Sequence, residues 1–447
     1  MRTRSIALLA PLLALSLFAA SCGNNGGTTT AAATIKVGAL PPLTGDLSDF
    51  GPSMAEAVKL AAKVFQDAAK KAGLNVAVTV TSTDSQTTAT AAVEGARKLV
   101  DTDQVKFIIG PMASSEVLPV STSVTIPKQI LLITPSATSG KITGLNDNGL
   151  TNRTPPSDEY QAPLLADLVA ASVPSGSTIA LGARNDPYGV FIINGDAPSK
   201  LNGVKQELEK RGLKTLAPVF WNPAATTFES EAQALVKDNP AAWVLIDFPS
   251  TWQKISAALV RTNKWDPAKT FSADGLKTSK LSKDPPTGSG KQATEGMRGT
   301  APGATGNEAF AKLWDKEVGS SIVPETYAPQ AFDGTLMALL AAVQAAVKKE
   351  GGDDKEKVVR ALGEVSSPEI SAQLQAVSRD GASYNFTKLQ EAIEAILAGT
   401  DIDYVGVSGP VDLDKDGNVE SVGAKYDVYV FKDGKLDVTS VVEAKAL

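Results

Sequence analysis

Residues 35–72, IKVGALPPLTGDLSDFGPSMAEAVKLAAKVFQDAAKKA, set the pattern of the chain. The run 35–40 is β-branched and apolar and reads as a strand. A loop rich in Pro, Gly and Asp follows, and from about 53 to 72 apolar residues recur at helical spacing. The same unit recurs downstream. Strands are expected at 76–81, 107–110 and 130–133, with helices near 88–101 and 115–123 between them. A second series opens near Asp158, with strands at 178–181, 216–220, 243–247 and 270–273. Helices at 158–171, 194–211, 228–237 and 252–263 fill its gaps. Strand–helix alternation implies parallel sheets covered by helices on both faces, and two successive series imply two α/β lobes. The tail changes character: 425–431 and 436–442 alternate apolar and polar residues around Lys432-Asp433-Gly434-Lys435, a hairpin signal.

The 447 residues carry 43 Lys+Arg against 49 Asp+Glu, a net charge of −6, and 43% hydrophobic residues. That length allows two or three units, each able to bury a core. The acidic balance, with no long basic run, argues against nucleic acid as a partner. There is no histidine, so Ser-His and Cys-His nucleophilic pairs and His-ligated metal sites are excluded. No metal or cofactor is expected. Beyond the leader, no apolar stretch reaches the roughly 18 residues of a membrane span; the strongest, 336–347, reads as a buried helix.

The single cysteine, Cys22, sits where an apolar run gives way to a polar one. Arg2 and Arg4 followed by the apolar stretch 6–20 describe a secretory signal over residues 1–21. Ala19-Ala20-Ser21-Cys22 resembles the lipobox of bacterial lipoproteins, whose cysteine takes a lipid and becomes the mature N-terminus. Residues 22–33 then read as a flexible tether, with an r.m.s. span of roughly 17–20 Å. The expected location is outside the cytoplasmic membrane, anchored through lipid at the cell surface or in the periplasm.

Parallel α/β sheets bind ligands at the carboxyl ends of their strands. The loops at those ends carry a resemblance. Residues 35–45, Gly110-Pro111-Met112-Ala113-Ser114-Ser115, Ile133-Thr134-Pro135-Ser136-Ala137-Thr138, Asn152-Arg153-Thr154, Tyr188-Gly189 and the stretch 406–417 are similar, in order and spacing, to the type I periplasmic binding proteins. The resemblance is to their branched-chain amino-acid (leucine/isoleucine/valine-type) branch, the receptors of ABC importers. It implies two doubly wound parallel-sheet lobes joined by a three-segment hinge. Lobe 1 would hold 34–155 plus about 297–400, and lobe 2 would hold 156–296 plus about 401–447.

The resemblance also implies a ligand site. Ser114 and Thr138, with backbone groups of Ser136, occupy the positions that bind a ligand carboxylate in that family, although Ser114 could equally cap the helix after it. Asp274 stands where the family places an acid, usually Glu, for the ligand ammonium; an Asp-Gly turn at a strand end is the plainer alternative. Phe50, Tyr188 and Phe248 match aromatics around the ligand side chain, Phe248 standing where the family has Tyr. Asp158 is expected to cap its helix. The implied function is capture of an amino acid or amide-like relative by cleft closure and delivery to a membrane permease, by a monomer that is not an enzyme. Two rivals have the same starting points: a sensory module of the same fold, and a surface hydrolase using paired carboxylates. Asp412-Leu413-Asp414-Lys415-Asp416-Gly417 begins like a calcium loop, but its twelfth position, Gly423, lacks the Glu that the loop needs. Gly288-Ser289-Gly290-Lys291 lacks the leading glycine and strand of a phosphate loop.

Overall fold

A computed structural model describes residues 33–196, 201–303, 307–420 and 423–444. The leader, Cys22 and all of the tether but Ala33 lie outside this range. The first sheet is parallel, in the order β2-β1-β3-β4-β5, from β1 (Ala33–Ala39), β2 (Val76–Ser82), β3 (Phe107–Ile109), β4 (Leu131–Thr134) and β5 (Thr151–Arg153). Its inner strands are apolar on both faces because both faces are covered. Phe107, Ile109, Leu131 and Ile133 pack with the helix Gly51–Lys71 and the long helix Ala328–Glu350. The alternate residues Ile108 and Leu132 pack with Ala92, Ala96 and Val117 on the other side.

The second sheet repeats the plan with β6 (Thr178–Arg184), β7 (Lys214–Thr215), β8 (Val219–Trp221), β9 (Ala242–Ile246), β10 (Thr270–Ser272) and β11 (Arg298–Pro302), all parallel. Leu181, Val244 and Ile246 face the helix Asp158–Ala170, while Trp243 and Leu245 face the helix Pro249–Arg261. Between the sheets' contributions, β12 (Ala382–Tyr384), β13 (Ile402–Gly406) and β14 (Gly409–Pro410) form a separate small sheet. The expected hairpin is β15 (Lys425–Lys432) and β16 (Lys435–Glu443), which extends the second sheet antiparallel. Its two-residue turn has positive φ at both positions, Asp433 at 52° and Gly434 at 70°, the combination that fits the strands' right-handed twist.

Four local expectations change. The strand expected at 216–220 is split into β7 and β8, because Pro218 between them has no N–H to give a ladder. The helix expected at 194–211 is two helices, Pro187–Asn194 and Val204–Lys210. Gly195 ends the first with φ 64°, and a Cβ there would meet the Leu201 carbonyl at 2.1 Å. The return to the first half was expected at about 297, yet Arg298–Pro302 pairs with β10 in the second sheet. The stretch 402–410, expected with lobe 2, pairs with Ala382–Tyr384 instead. The chain therefore passes between the halves after β5, after β11 and before β15.

The helix Ala328–Glu350 is long and apolar enough to cross a membrane by length and composition. Every residue from Ala328 to Val347 is buried inside the protein, which makes it the central core helix. Asp333 on this helix accepts from Tyr404 Oη (2.8 Å), Val407 N (2.9 Å), Ser408 N (2.8 Å) and Ser408 Oγ (2.6 Å). One carboxylate thus ties the small sheet, just ahead of the third crossing, to the core helix.

Candidate functional site

The carboxyl ends of the parallel strands of both sheets converge on one small cavity. The loop after β1 brings Leu47 and Phe50, the loop after β3 brings Met112, Ala113 and Ser114, and the loop after β4 brings Ser136, Ala137 and Thr138. From the second sheet come Tyr188 after β6, Phe248 after β9, and Asp274 and Gly275 after β10. All seven residues singled out for ligand contact (Phe50, Ser114, Ser136, Thr138, Tyr188, Phe248 and Asp274) therefore line the same space. The cavity holds roughly 10 Å³, about the room one water needs.

Local chemistry aims these side chains. Asp186 caps the helix Pro187–Asn194 by accepting from Tyr188 N (3.1 Å) and Gly189 N (3.0 Å), which fixes the start of the helix that carries Tyr188. The Tyr188 ring stacks on Phe248 at 5.3 Å and 14°, and the Arg184 guanidinium covers the Phe248 ring at 3.7 Å. Gly275 lets the β10 loop press against the β9 loop, since a Cβ there would stand 2.6 Å from the Asp247 carbonyl. Tyr188 Oη donates to Asp274 Oδ1 (3.0 Å), and Tyr327 Oη donates to Oδ2 (2.6 Å).

Two plainer readings are corrected. The helix begins at Ser114 itself with Ala113 at its N-cap, and Ser114 Oγ instead accepts from Ser139 N across the loops (3.3 Å). Asp158 does not cap its helix: it is the first helical residue, with Ser157 at the N-cap and no capping hydrogen bond from a side chain, and it is fully buried. The Thr138 side chain, on the cavity wall, lies against the Asp158 carboxylate and lowers its pKa in opposition to burial.

The two halves also touch around the cavity's rim. Asp46 Oδ2, in the loop after β1, accepts from Thr251 Oγ1 (3.0 Å) and Arg184 Nη1 (3.4 Å) of the second half. Ser139 Oγ donates to the Pro187 carbonyl (2.9 Å), and Lys280 Nζ donates to the Asp49 carbonyl (3.1 Å).

Two sheets facing each other by their strand ends, with a closed cavity at the seam, have a counterpart among known proteins. Residues 34–385 match the family described as periplasmic binding protein. The chain belongs to the periplasmic binding protein family. A 141-residue stretch of this binding protein, 31% of its length, is 34% identical to the Leu/Ile/Val-binding protein BraC3 of Rhizobium johnstonii. A 160-residue stretch, 35% of its length, is 31% identical to a Leu/Ile/Val-binding protein homolog of Brucella melitensis. The matched stretches span 36% and 41% of those relatives' own lengths. Among solved structures, a leucine binding protein of Thermotoga maritima superposes with a TM-score of 0.65 over 92% of this chain and 99% of that one, at 18% identity. A solute-binding protein of Rhodopseudomonas palustris in complex with benzoate gives 0.64 over 93% and 98%, at 17% identity. At such identities the likeness is one of fold.

The binding protein's cavity is electrostatically loaded. Burial pushes the Asp274 carboxyl up, against the lowering effect of the Tyr327 and Tyr188 hydroxyls. Burial pushes Asp158 well above the carboxylate range, and the neighbouring Asp274 charge adds to it. Both phenols are pushed up by burial and then by Asp274, so they stay protonated donors. Glu116 is raised to about 8, first by burial and against the lowering effect of Ala113 N and the Ser85 hydroxyl; its Oε2 accepts from Ala113 N (3.0 Å).

Tyr327 is the site residue that sequence reading missed. It precedes the core helix, some fifty positions past Asp274, with no motif around it. Its one mark is conformational, a left-handed φ of 78°, which no residue-type pattern foretells. The acidic turn at 412–417 is closed by its own backbone, Asp414 Oδ1 accepting from Asp416 N (2.8 Å) and Asn418 N (2.9 Å).

Proposed function

We propose that this chain is the extracytoplasmic ligand-capture component of an ABC importer, and that it binds an amino acid of branched-chain type or a related small polar amine. One observation carries the reading. The acid Asp274 from one half and the hydroxyl and backbone donors of Ser114, Ser136 and Thr138 from the other face a single closed space. That complement suits a zwitterion: a buried ammonium requires a carboxylate, and a buried carboxylate requires neutral donors. Phe50, Tyr188 and Phe248 supply the apolar wall for a side chain.

The ligand bridges the two halves, and closure around it presents a joint surface to a permease. Nothing in this role calls for turnover, so the chain is a binding protein and not an enzyme. It acts as a monomer, held at the outer face of the cytoplasmic membrane by lipid on Cys22. Relatives of this fold take different ligands, isoleucine for one from Streptococcus pneumoniae and benzoate for another. A ligand with a carboxylate and no amine is disfavoured here, because its charge would face Asp274 in a low-dielectric space with no positive charge between them.

A thermal-shift panel of amino acids, small amides and urea identifies the ligand class, followed by calorimetry on Asp274→Ala. The variant is expected to fold, and to lose binding of every amine ligand. Normal amino-acid binding by that variant would refute the assignment.

A further inference from the structure

The closed cavity is far smaller than the roughly 300–1,000 Å³ of a usual ligand pocket. A second cavity of about 320 Å³ lies beside it, and Tyr327 lines both. The tyrosine is the partition, and its phenol occupies Asp274 Oδ2, one of the two oxygens that an ammonium would need. Its left-handed backbone (φ 78°) is one that a residue with a side chain adopts at an energetic cost, and such strain concentrates at sites that switch.

The outer cavity is walled mainly by apolar groups: Phe310, Ala311, Val323, Pro324, Pro329 and Leu436. Its charged wall residues are already paired. Lys277 Nζ meets Asp427 Oδ2 at 2.6 Å, and Glu325 accepts from Ser279 N (3.2 Å) and from Ser279 Oγ. The uncommitted polar atom among these walls is Gln330 Oε1, on a side chain 2% exposed. A space of this size, apolar and internally charge-balanced, suits a hydrocarbon or aromatic tail and repels no ammonium at its inner end.

We infer that the 320 Å³ cavity is the outer compartment of the ligand site: it takes the apolar tail of an elongated amine whose ammonium replaces the Tyr327 phenol on Asp274. This rests on the proposed binding of an amine at Asp274, and it extends the ligand class to amino acids or amines longer than leucine. Tyr327 is then a specificity-determining residue, swung aside by ligands that reach past it.

The test is calorimetry on the full chain with L-alanine, L-leucine, L-phenylalanine and L-homophenylalanine, for the wild type and for Ala311→Trp. Ala311 is exposed on the helix Glu308–Glu317, so a tryptophan there fills the outer cavity without entering the core. Affinity is expected to rise at least tenfold along the series in the wild type. Ala311→Trp should remove that gain for the two aromatic ligands and leave L-alanine within twofold. Val323→Trp, at a residue 57% exposed on another part of the wall, gives the same reading if Ala311→Trp does not fold. A flat series that still binds, or aromatic ligands indifferent to both fillers, overturns the compartment and leaves the amine site standing. Silence of the wild type toward all four overturns the amine site and the compartment together.

Discussion

Replacing Glu116 by glutamine removes a charge that the folded protein holds at a loss above neutral pH and keeps the hydrogen bond that orders the cavity loop. Glu116 is third in the helix Ser114–Val120, and its Oε2 holds the Ala113 N–H at 3.0 Å. It is 0% exposed, and its carboxyl is raised to about 8 in the fold from an ordinary value of 4.5. The fold therefore keeps a proton that the unfolded chain releases above about pH 4.5. Stability attached to this group is complete below that pH and is lost as pH rises through 8, at about 1.4 kcal/mol per pH unit. Integrated between pH 5 and pH 8, the loss comes to roughly 3–4 kcal/mol.

Glutamine presents the same carbonyl to Ala113 and cannot ionise. Near pH 4.5 the protonated acid and the amide have almost the same shape and donors, so the two proteins should unfold at similar urea concentrations. By pH 8 the variant should be the more stable by roughly 3–4 kcal/mol, after which the gap levels off. The measurement is the difference in urea unfolding free energy at unit steps from pH 5 to pH 9. Other buried acids, Asp284 raised to about 7 and Asp333 to about 6, add to the fall in both proteins and cancel in that difference. Two parallel curves would show that Glu116 is ionised throughout and that the reasoning from burial fails.

Asp46→Ala should cut the bonds from Thr251 and Arg184 that join the rims of the two halves. Two bonds to a partly exposed carboxylate give about 1–2 kcal/mol in favour of the closed form, so affinity should fall about 5–30-fold with little change in melting temperature; unchanged affinity by calorimetry counts against a latch at this point. Asp333→Ala leaves four donors of the small sheet (Tyr404, Val407 and Ser408) without their acceptor, and should destabilise the protein by about 3–5 kcal/mol in urea unfolding. A loss below about 1 kcal/mol would mean that solvent replaces the carboxylate there.

The fold was legible where periodicity is strong. Ile35 to Leu40 and Val76 to Thr81 alternate within a parallel sheet, and β1 and β2 fall within two residues of those runs. It was less legible where one residue breaks a pattern: Pro218 divides a strand, and Gly195 ends a helix that its neighbours' composition would continue. The residues that gather at the candidate site were legible where the strand-end rule applies, since Ser114, Thr138, Tyr188 and Asp274 each follow a parallel strand and line one cavity. Tyr327 follows none, and reaches the cavity only because the crossing segment delivers the core helix there. Asp158 was misread for a related reason. Its position at a helix start suggests a cap, but the helix begins at Asp158 itself and Ser157 holds the N-cap position, so the carboxylate is not placed to accept from the first turn.

Asp158, Asp274 and the phenols together explain why closure should report on the ligand. In the closed form Asp274 is satisfied by Tyr188 and Tyr327, groups of the protein itself, at the positions an ammonium would fill. A ligand shifts the balance toward this form only by bonding better than the phenol it displaces. A phenol is a neutral donor and an ammonium a charged one, and charge-assisted bonds are about twice as strong. The difference grows in a space from which water is excluded. Asp158 sharpens the choice: burial and then the neighbouring Asp274 charge raise its carboxyl, and a positive charge between the halves relieves that repulsion where a second neutral hydroxyl does not. A neutral ligand of the same size would have only contact area to offer against Tyr327. With an amine at Asp274 as proposed, positive charge, ahead of shape, would be the property that favours closure of this cleft.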